Sequence, residues 1–232
     1  MTQPVDHPSP NHEPRPDGRA VDILLIHYTG MLTGAAALER LCQPDAKVSA
    51  HYLIEEDGRI VRLVPEDLRA WHAGVACWAG KTDINDRSIG IELVNPGHEF
   101  GYRPFPEPQM AALIELAEAI RTRHPIPAHR VLGHSDVAPE RKQDPGELFD
   151  WPRLARHGLG VWPQEVAAPE VTPDLDWFLP RLERAGYCTN ADPAALITAF
   201  QRRFRPEAVT GAPDTGTAAR LTGLLKVLGR AG

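Results

Sequence analysis

Residues 21–27 have the sequence VDILLIH, a short apolar run with β-branched side chains. A short run that is mostly apolar is typical of a strand that is buried on both faces of its sheet. Residues 88–95, SIGIELVN, form a second strand-like run. We therefore expect these two segments to be strands of one sheet.

The segments around these strands predict the remaining elements. Residues 51–64 predict two strands joined at Asp57-Gly58, because glycine accepts the positive φ that a hairpin turn requires. Apolar residues recur at helical spacing over 108–123. Three shorter elements are also predicted: helices over 33–42 and 151–158 and a strand over 130–133. Together these elements predict an α/β fold, with a mixed central β-sheet flanked by helices.

Changes in composition along the chain predict its domain organisation. Residues 1–20 are a proline-rich N-terminal tail in which we expect no regular structure, either disordered or draped against the α/β domain, and the α/β domain spans residues 21–165. A stretch rich in proline, alanine and acidic residues predicts a linker over 166–174. Residues 175–232 predict three short amphipathic helices and no strand, which indicates a small helical domain.

The overall charge bears on the classes of partner. The chain has 232 residues, with 25 lysine and arginine residues against 31 aspartate and glutamate residues, for a formal net charge of −6. This acidic balance argues against a protein dedicated to nucleic acid, which usually presents a basic face. No segment approaches the roughly 20 apolar residues of a membrane span. We therefore expect no nucleic acid and no membrane among the partners, and a monomeric protein.

The cysteines and the N-terminal segment bear on the compartment. Cys42, Cys77 and Cys188 are far apart in sequence, and none belongs to a CxxC pair. Three cysteines cannot form a complete set of disulfides, so we expect no disulfide scaffold and a reducing compartment. The N-terminal segment has neither the basic start nor the apolar stretch of a secretory signal. These features predict a cytoplasmic protein, and a periplasmic protein with its leader removed is the alternative.

Histidine and aspartate residues fall where predicted strands end. His27 ends the first buried strand, His134 follows the strand over 130–133, and Asp144 lies in the same loop as His134. Two imidazole nitrogens and one carboxylate oxygen, with a fourth position open, form the ligand set of a catalytic zinc site. The spacing also fits hydrogen-bonded core histidines, so the residues alone leave both interpretations open.

Five segments occur in a characteristic order along the chain: IHYT, SAHYLI, WHAG, SIGIELVN and GHSDVAPERKQDPG. Together they resemble the zinc-dependent N-acetylmuramoyl-L-alanine amidases of the AmpD and AmiD kind, over residues 21–162. The resemblance implies that one zinc ion is held by His27, His134 and Asp144. It also implies that Glu92 is the catalytic acid–base residue and that Lys142 is a catalytic lysine, placed to stabilise the developing oxyanion.

The family cleaves the amide that joins N-acetylmuramic acid to L-alanine of the peptidoglycan stem peptide. For a cytoplasmic chain, the resemblance implies hydrolysis of imported muropeptides or other peptidoglycan fragments, such as anhydro-muropeptides, in cell-wall recycling. Two alternatives stay open: a periplasmic amidase that acts on the sacculus, and a non-catalytic module that recognises muropeptides. An unrelated zinc hydrolase with the same three ligands is a further alternative.

The loop before the second apolar run is where we expect contacts with substrate. Trp71 and His72, in the WHAG motif, resemble the family's substrate-lining loop, and an aromatic plane beside a polar ring suits sugar and peptide contacts. Asn85 is expected to hydrogen-bond the stem peptide. Arg87 is expected to face a peptide carboxylate, with a solvated surface charge as the alternative. For His51, by contrast, we expect a packing role within the fold.

The C-terminal helical segment resembles the peptidoglycan-binding three-helix domains that are often attached to such amidases. The matching features are Gly186-Tyr187, residues 199–204 (AFQRRF) and a threonine-led helix over 215–225. A plain packing domain is the alternative. If the segment binds glycan, deletion of residues 170–232 should raise the apparent KM for large substrates.

Overall fold

Eight strands and nine α-helices form the part of the chain that the computed structural model describes, residues 3–16 and 18–230. The strands are β1 (Val5–Asp6), β2 (His12–Pro14), β3 (Ile23–Tyr28), β4 (Tyr52–Ile54), β5 (Ile60–Arg62), β6 (Leu68–Ala70), β7 (Ser88–Leu93) and β8 (Val131–Gly133). The helices are α1 (Gly34–Cys42), α2 (Ile84–Arg87), α3 (Gly97–Phe100), α4 (Glu107–Arg123), α5 (His134–Val137), α6 (Trp151–Arg156), α7 (Leu175–Ala185), α8 (Pro193–Phe204) and α9 (Thr215–Val227).

Strands β3 and β7 lie inside a six-stranded sheet with the order β1-β5-β4-β7-β3-β8. They are parallel, and His27 is the register partner of Glu92. All residues of β3 before Tyr28 are buried, which explains the unbroken apolar run in this strand. Strand β4 pairs in parallel with β7 and antiparallel with β5. The mixed α/β sheet expected from the sequence is therefore confirmed.

Local contacts explain three of these elements. Gly58 turns the chain between β4 and β5 with a φ of +89°, which a residue with a side chain rarely adopts. The Thr33 hydroxyl accepts a hydrogen bond of 3.1 Å from the first turn of α1 and so caps this helix. Helix α4 is tied to the sheet by Gln109, whose side-chain amide donates to the carbonyl oxygens of Ile54 and Val94 at 2.9 and 3.0 Å.

The proline-rich N-terminal segment contains two short strands. Strand β1 pairs in parallel with β5 at the sheet edge, and β2 pairs antiparallel with β6. Arg15 then donates to the carbonyl oxygens of Glu66, Asn85 and Ser88 at 2.9 to 3.1 Å. The expectation of no regular structure is wrong here, because proline is tolerated on edge strands, which leave part of their N–H groups unused. Residues 1, 2 and 17 of the predicted tail lie outside the described residues.

The chain separates by contacts into two compact units, one with the residues up to 74 and 83–132, the other with 75–82 and the residues from 133 onward. The second unit contains α7, α8 and α9, the three helices expected from the sequence. The side chains of Asp174, Asp192 and Asp214 cap these helices at 2.8 to 3.0 Å. The boundaries predicted at residues 165 and 175 stay a prediction. Within the described ranges, no helix is long and apolar enough to cross a membrane.

A disulfide bond joins Cys77 to Cys188 within the second unit, with the Cα atoms 5.9 Å apart. The sequence predicts no disulfide scaffold and a reducing compartment, and this single disulfide argues against the reducing compartment. The two cysteines are 111 residues apart in sequence, and tertiary packing alone brings them together, so connectivity cannot be deduced from their spacing. The third cysteine, Cys42, is half-buried and has a free thiol.

Candidate metal centre

Three residues singled out in the sequence converge in the structure. One ligand atom from each of His27, His134 and Asp144 lies within 4.8 Å of the other two, and all three residues are buried. Nδ1 of His134 and Oδ2 of Asp144 are 3.0 Å apart. Two ligand atoms at about 2.0 Å from one tetrahedral ion are separated by about 3.3 Å. The chemistry and the spacing of these donors therefore fit a metal ion.

His27 is supported by a second buried histidine. Nε2 of His27 lies 3.1 Å from Nδ1 of His72, and the two rings meet edge to face at 83°. A histidine that binds a metal almost always directs its other ring nitrogen to a hydrogen-bonding partner, which sets its tautomer and orientation. We therefore expect His27 to present Nδ1 to the metal. On its other side, Nε2 of His72 lies 3.3 Å from the Ser88 hydroxyl.

Asn85 and Gly90 determine where His72 lies. Oδ1 of Asn85 accepts hydrogen bonds from the backbone N–H groups of His72 and Ala73 at 3.2 and 2.8 Å. A Cβ atom on Gly90 would lie 2.5 Å from the His72 ring. The predicted contacts of His72 and Asn85 with substrate stay predictions, and the structure adds a supporting role that our sequence analysis missed. A glycine inside a buried strand often marks the close approach of another group, and Gly90 was the available signal.

The other two predicted substrate contacts lie near the ends of the same loop. Trp71 is half-buried, and its backbone N–H donates to the Ser49 hydroxyl at 2.9 Å. Nε of Arg87 donates to Asp22 at 2.7 Å, and Arg130 pairs with the same carboxylate. The Arg87 guanidinium thus has an acidic partner inside the fold. For Trp71 and Arg87 the contact with substrate stays a prediction.

His134 and Asp144 lie in one tightly bonded turn that follows β8. The backbone N–H of Gly133 donates to Oδ2 of Asp136 at 2.8 Å, which closes the first turn of α5. The backbone N–H of Ser135 donates to the carbonyl oxygen of Asp144 at 2.9 Å. Asp136 is 1% exposed. The sequence predicts both residues as ligands, but Asp136, the buried carboxylate that holds this turn, is not among the predicted site residues.

Glu92 neighbours His27 across the sheet, and Lys142 lies two residues before Asp144 in the chain. Glu92 is the register partner of His27, so the two side chains project from the same face of neighbouring strands, which lie about 4.8 Å apart. Glu92 is half-buried. Lys142 is also half-buried, and its backbone N–H donates to the carbonyl oxygen of Ala138 at 3.0 Å. This hydrogen bond holds the backbone two residues before Asp144.

Sequence comparisons relate the chain to known enzymes. Residues 17–147 match the family described as N-acetylmuramoyl-L-alanine amidase. N-acetylmuramoyl-L-alanine amidase AmiD of Escherichia coli (strain K12) is 39% identical over 237 aligned positions, which cover 90% of this chain and 84% of that protein. The 1,6-anhydro-N-acetylmuramyl-L-alanine amidase AmpD of Enterobacter cloacae is 37% identical over 164 positions, which cover 63% of this chain and 86% of that protein.

Structural comparisons agree with the sequence comparisons. E. coli AmiD in complex with the substrate anhydro-N-acetylmuramic acid-L-Ala-D-gamma-Glu-L-Lys is similar with a TM-score of 0.83 and 37% identity, over 93% of each chain. AmpDh3 from Pseudomonas aeruginosa in complex with anhydromuramic pentapeptide gives a TM-score of 0.82 and 36% identity, over 92% of this chain and 94% of that one. The resemblance carried by the sequence motifs is confirmed.

Proposed function

The chain belongs to the N-acetylmuramoyl-L-alanine amidase family, and we propose that it hydrolyses the amide between N-acetylmuramic acid and L-alanine of the stem peptide in a zinc-dependent reaction. The observation that carries the proposal is the convergence of His27, His134 and Asp144. A half-buried carboxylate, Glu92, is the register partner of the first of these ligands.

The proposed zinc ligands are His27, His134 and Asp144. Two imidazoles and one carboxylate are the protein ligands of a common class of catalytic zinc site, and they leave one coordination position open. Zinc at such a site lowers the pKa of water toward about 7 and polarises carbonyl groups. Cys77 and Cys188 are joined to each other, so their sulfur atoms are not thiolate ligands.

Glu92 and Lys142 supply the remaining chemistry. An amide is a weak electrophile with a poor leaving group. Glu92 accepts the proton of the attacking water and returns it to the alanine nitrogen as the C–N bond breaks, so one carboxylate serves as base and then as acid. The Lys142 ammonium stabilises the negative charge that develops on the carbonyl oxygen.

Anhydro-muropeptides are the substrate class that we propose. The structures of E. coli AmiD and P. aeruginosa AmpDh3 were determined with an anhydro-muramyl peptide bound, which supports the same class for this chain. Such soluble fragments are products of cell-wall turnover. A role in peptidoglycan recycling follows from this substrate, and hydrolysis of the intact sacculus is the competing function.

The disulfide bears on the compartment in which the enzyme works. Disulfides persist in oxidising compartments and are rare in the cytosol. The bond between Cys77 and Cys188 therefore favours an oxidising compartment over the cytoplasm expected from the sequence. We propose that the mature protein acts outside the cytoplasm, where turnover fragments are released.

Parallel digestion of two substrates tests the proposed reaction. The purified protein, loaded with zinc, is incubated with anhydro-muropeptides and with sacculi, and the products are identified by mass spectrometry. We expect release of stem peptides that begin with L-alanine from the anhydro-muropeptides, loss of this release when zinc is chelated, and its recovery when zinc is restored. Binding of muropeptides without any release would favour a recognition module. Faster release from sacculi would favour the competing function.

The variant Glu92→Gln tests the proposed proton transfer. An amide at this position cannot accept a proton, so turnover should fall by at least about 100-fold while the zinc content stays at one ion per chain. Glu115→Gln, at an exposed position of α4, is the matched control and should retain full turnover. Normal turnover by Glu92→Gln would exclude Glu92 as the general base.

A further inference from the structure

We propose that Tyr187 and Arg203, from the C-terminal helical segment, are positioning residues for the metal ligand His134, and that they act through the carboxylate of Asp136. The proposal rests on the proposed function in one respect, since it takes His134 as a metal ligand. It assigns to the C-terminal helices a role in metal binding, in addition to any contact they make with peptidoglycan.

Asp136 joins the C-terminal helical segment to residues 134–144, the turn of the metal ligands. It lies two residues after His134 and is 1% exposed. Its Oδ2 accepts the backbone N–H of Gly133, the residue directly before His134, at 2.8 Å. Its Oδ1 accepts the hydroxyl of Tyr187 at 2.7 Å. One carboxylate therefore links the backbone that carries His134 to a side chain 51 residues further along.

Arg203 holds the same turn by two contacts. Its guanidinium forms an ion pair with Oδ2 of Asp136, and the two side chains are 3% and 1% exposed. The guanidinium also stacks over the Trp151 ring at 4.1 Å from its centre, and Trp151 lies 3.3 Å from the position of a Cβ on Gly133. A buried charge needs its partner, because removal of one member leaves the other uncompensated. The pair Arg203–Asp136 is thus placed to keep the turn in one conformation.

Tyr187 is held rigidly enough to orient Asp136. It is 2% exposed, and its ring packs edge to face against Trp78 with the ring centres 5.1 Å apart. The next residue, Cys188, is bonded to Cys77, whose backbone N–H donates to the carbonyl oxygen of Val137 at 2.8 Å. Val137 is the last residue of α5. The segment at Tyr187 therefore contacts this one-turn helix at its Asp136 side chain and, through the disulfide, at its C-terminal end.

A neighbouring arginine provides a matched comparison. Arg205 lies two residues after Arg203, and its guanidinium pairs with Asp214 and reaches the hydroxyl of Thr217 at 3.2 Å. These partners belong to the start of α9 rather than to the turn of the metal ligands. Loss of the Arg205 ion pair should weaken the helical segment without displacing His134. Loss of the Arg203 ion pair should do both.

The test compares Tyr187→Phe, Arg203→Met and Arg203→Lys with the control Arg205→Met in the full-length protein. Zinc affinity is measured by competition with a chromophoric chelator, thermal stability on the zinc-free protein, and kcat and KM on a soluble anhydro-muropeptide. We expect Tyr187→Phe and Arg203→Met to weaken zinc affinity by about tenfold, since partners behind metal ligands typically contribute 10–100-fold. In both variants kcat should fall with KM nearly unchanged. Arg203→Lys, which keeps the charge, should recover part of the zinc affinity.

The outcomes separate positioning from general packing. Arg205→Met should lower the melting temperature and leave the zinc affinity at the wild-type value. Wild-type zinc affinity and kcat in both Tyr187→Phe and Arg203→Met would overturn the proposal. If Arg203→Met does not fold, Tyr187→Phe decides the question, because it removes one hydroxyl group and keeps the ring. Zinc affinity is measured without substrate, so the result stands even if the chain lacks amidase activity.

Discussion

At the scale of single residues, the proposed metal site is surrounded by buried groups that are not among its three proposed ligands. His72 lies behind His27, Asn85 holds the backbone of His72, and Gly90 leaves room for its ring. The sequence motifs identified His72 and Asn85 through a family resemblance. A resemblance indicates that a residue belongs to the site, but it does not show which atoms its side chain contacts. The direction in which a loop histidine points depends on tertiary packing, so its contact with His27 could not be predicted from the sequence.

Gly90→Ala should disturb the metal site without touching a ligand. The new methyl group would lie 2.5 Å from the His72 ring, and relief of such overpacking typically costs about 1–3 kcal/mol. We expect a lower melting temperature and weaker zinc binding, measured by calorimetry and by chelator competition. Gly34→Ala is the control, because its methyl group would meet the carboxylate end of Glu55, a side chain that is able to move aside. Equal zinc affinity in the two variants would show that the place of His72 does not matter.

Glu66 gives the fold a defined dependence on pH. Burial alone would raise its pKa, but hydrogen bonds from Arg123, Tyr52 and His124 outweigh burial and lower the pKa from 4.5 to about 2. Because the pKa in the folded state lies below that of the unfolded state, the stabilisation is complete above about pH 4.5 and is lost as the pH falls toward 2. Glu66 therefore adds to the stability of the fold at neutral pH and no longer does so near pH 2.

Glu66→Gln tests this dependence. The variant should be less stable than the wild type at pH 6 to 7, and the difference should shrink between about pH 4.5 and pH 2. Denaturant unfolding at several pH values measures it. Glu118→Gln serves as the control, because it replaces an exposed carboxylate on α4, the helix that also carries Arg123. A difference in stability that does not vary with pH would contradict the ion-pair explanation.

At the scale of elements, regular structure was predictable wherever a local pattern determines it. Examples are the apolar run of β3, the Asp57-Gly58 turn and the apolar spacing along α4. In each of them a pattern of neighbouring residues predicts the structure. The N-terminal strands and the disulfide were not predictable, because each depends on a distant partner. Strand β1 pairs with β5, and Cys77 pairs with a cysteine 111 residues away.

Reduction of the disulfide should measurably destabilise the protein. Cross-links that close long loops typically contribute about 2–4 kcal/mol, so Cys77→Ser and Cys188→Ser should each lower the melting temperature, and dithiothreitol should have the same effect on the wild type. Cys42→Ser is the control, since Cys42 is outside the disulfide. Thiol labelling of protein taken directly from cells reports on the compartment. A fully reduced pair in cells would contradict the proposed oxidising compartment.

At the scale of the whole molecule, the sequence motifs located the family and the three candidate ligands, but they did not connect the C-terminal helices to the chemistry. In the sequence, Gly186-Tyr187 and residues 199–204 resemble a peptidoglycan-binding domain. In the structure, Tyr187 and Arg203 direct their polar groups to Asp136. A sequence motif gives the position of a residue but not its role. The contacts of its side chain in the structure show whether that residue supports the fold.

Deletion of residues 170–232 distinguishes these two roles of the helices. If they only bind peptidoglycan, the truncated enzyme should retain zinc and its kcat on soluble anhydro-muropeptides, and KM should rise for sacculi alone. We expect instead that zinc affinity and kcat on the soluble substrate both fall, because the deletion removes Tyr187 and Arg203, the two side chains that hold Asp136. The double variant Cys77→Ser with Cys188→Ser in the full-length chain separates loss of the disulfide from loss of the helices. Zinc affinity that stays at the wild-type value after truncation would contradict a role of the helices in metal binding.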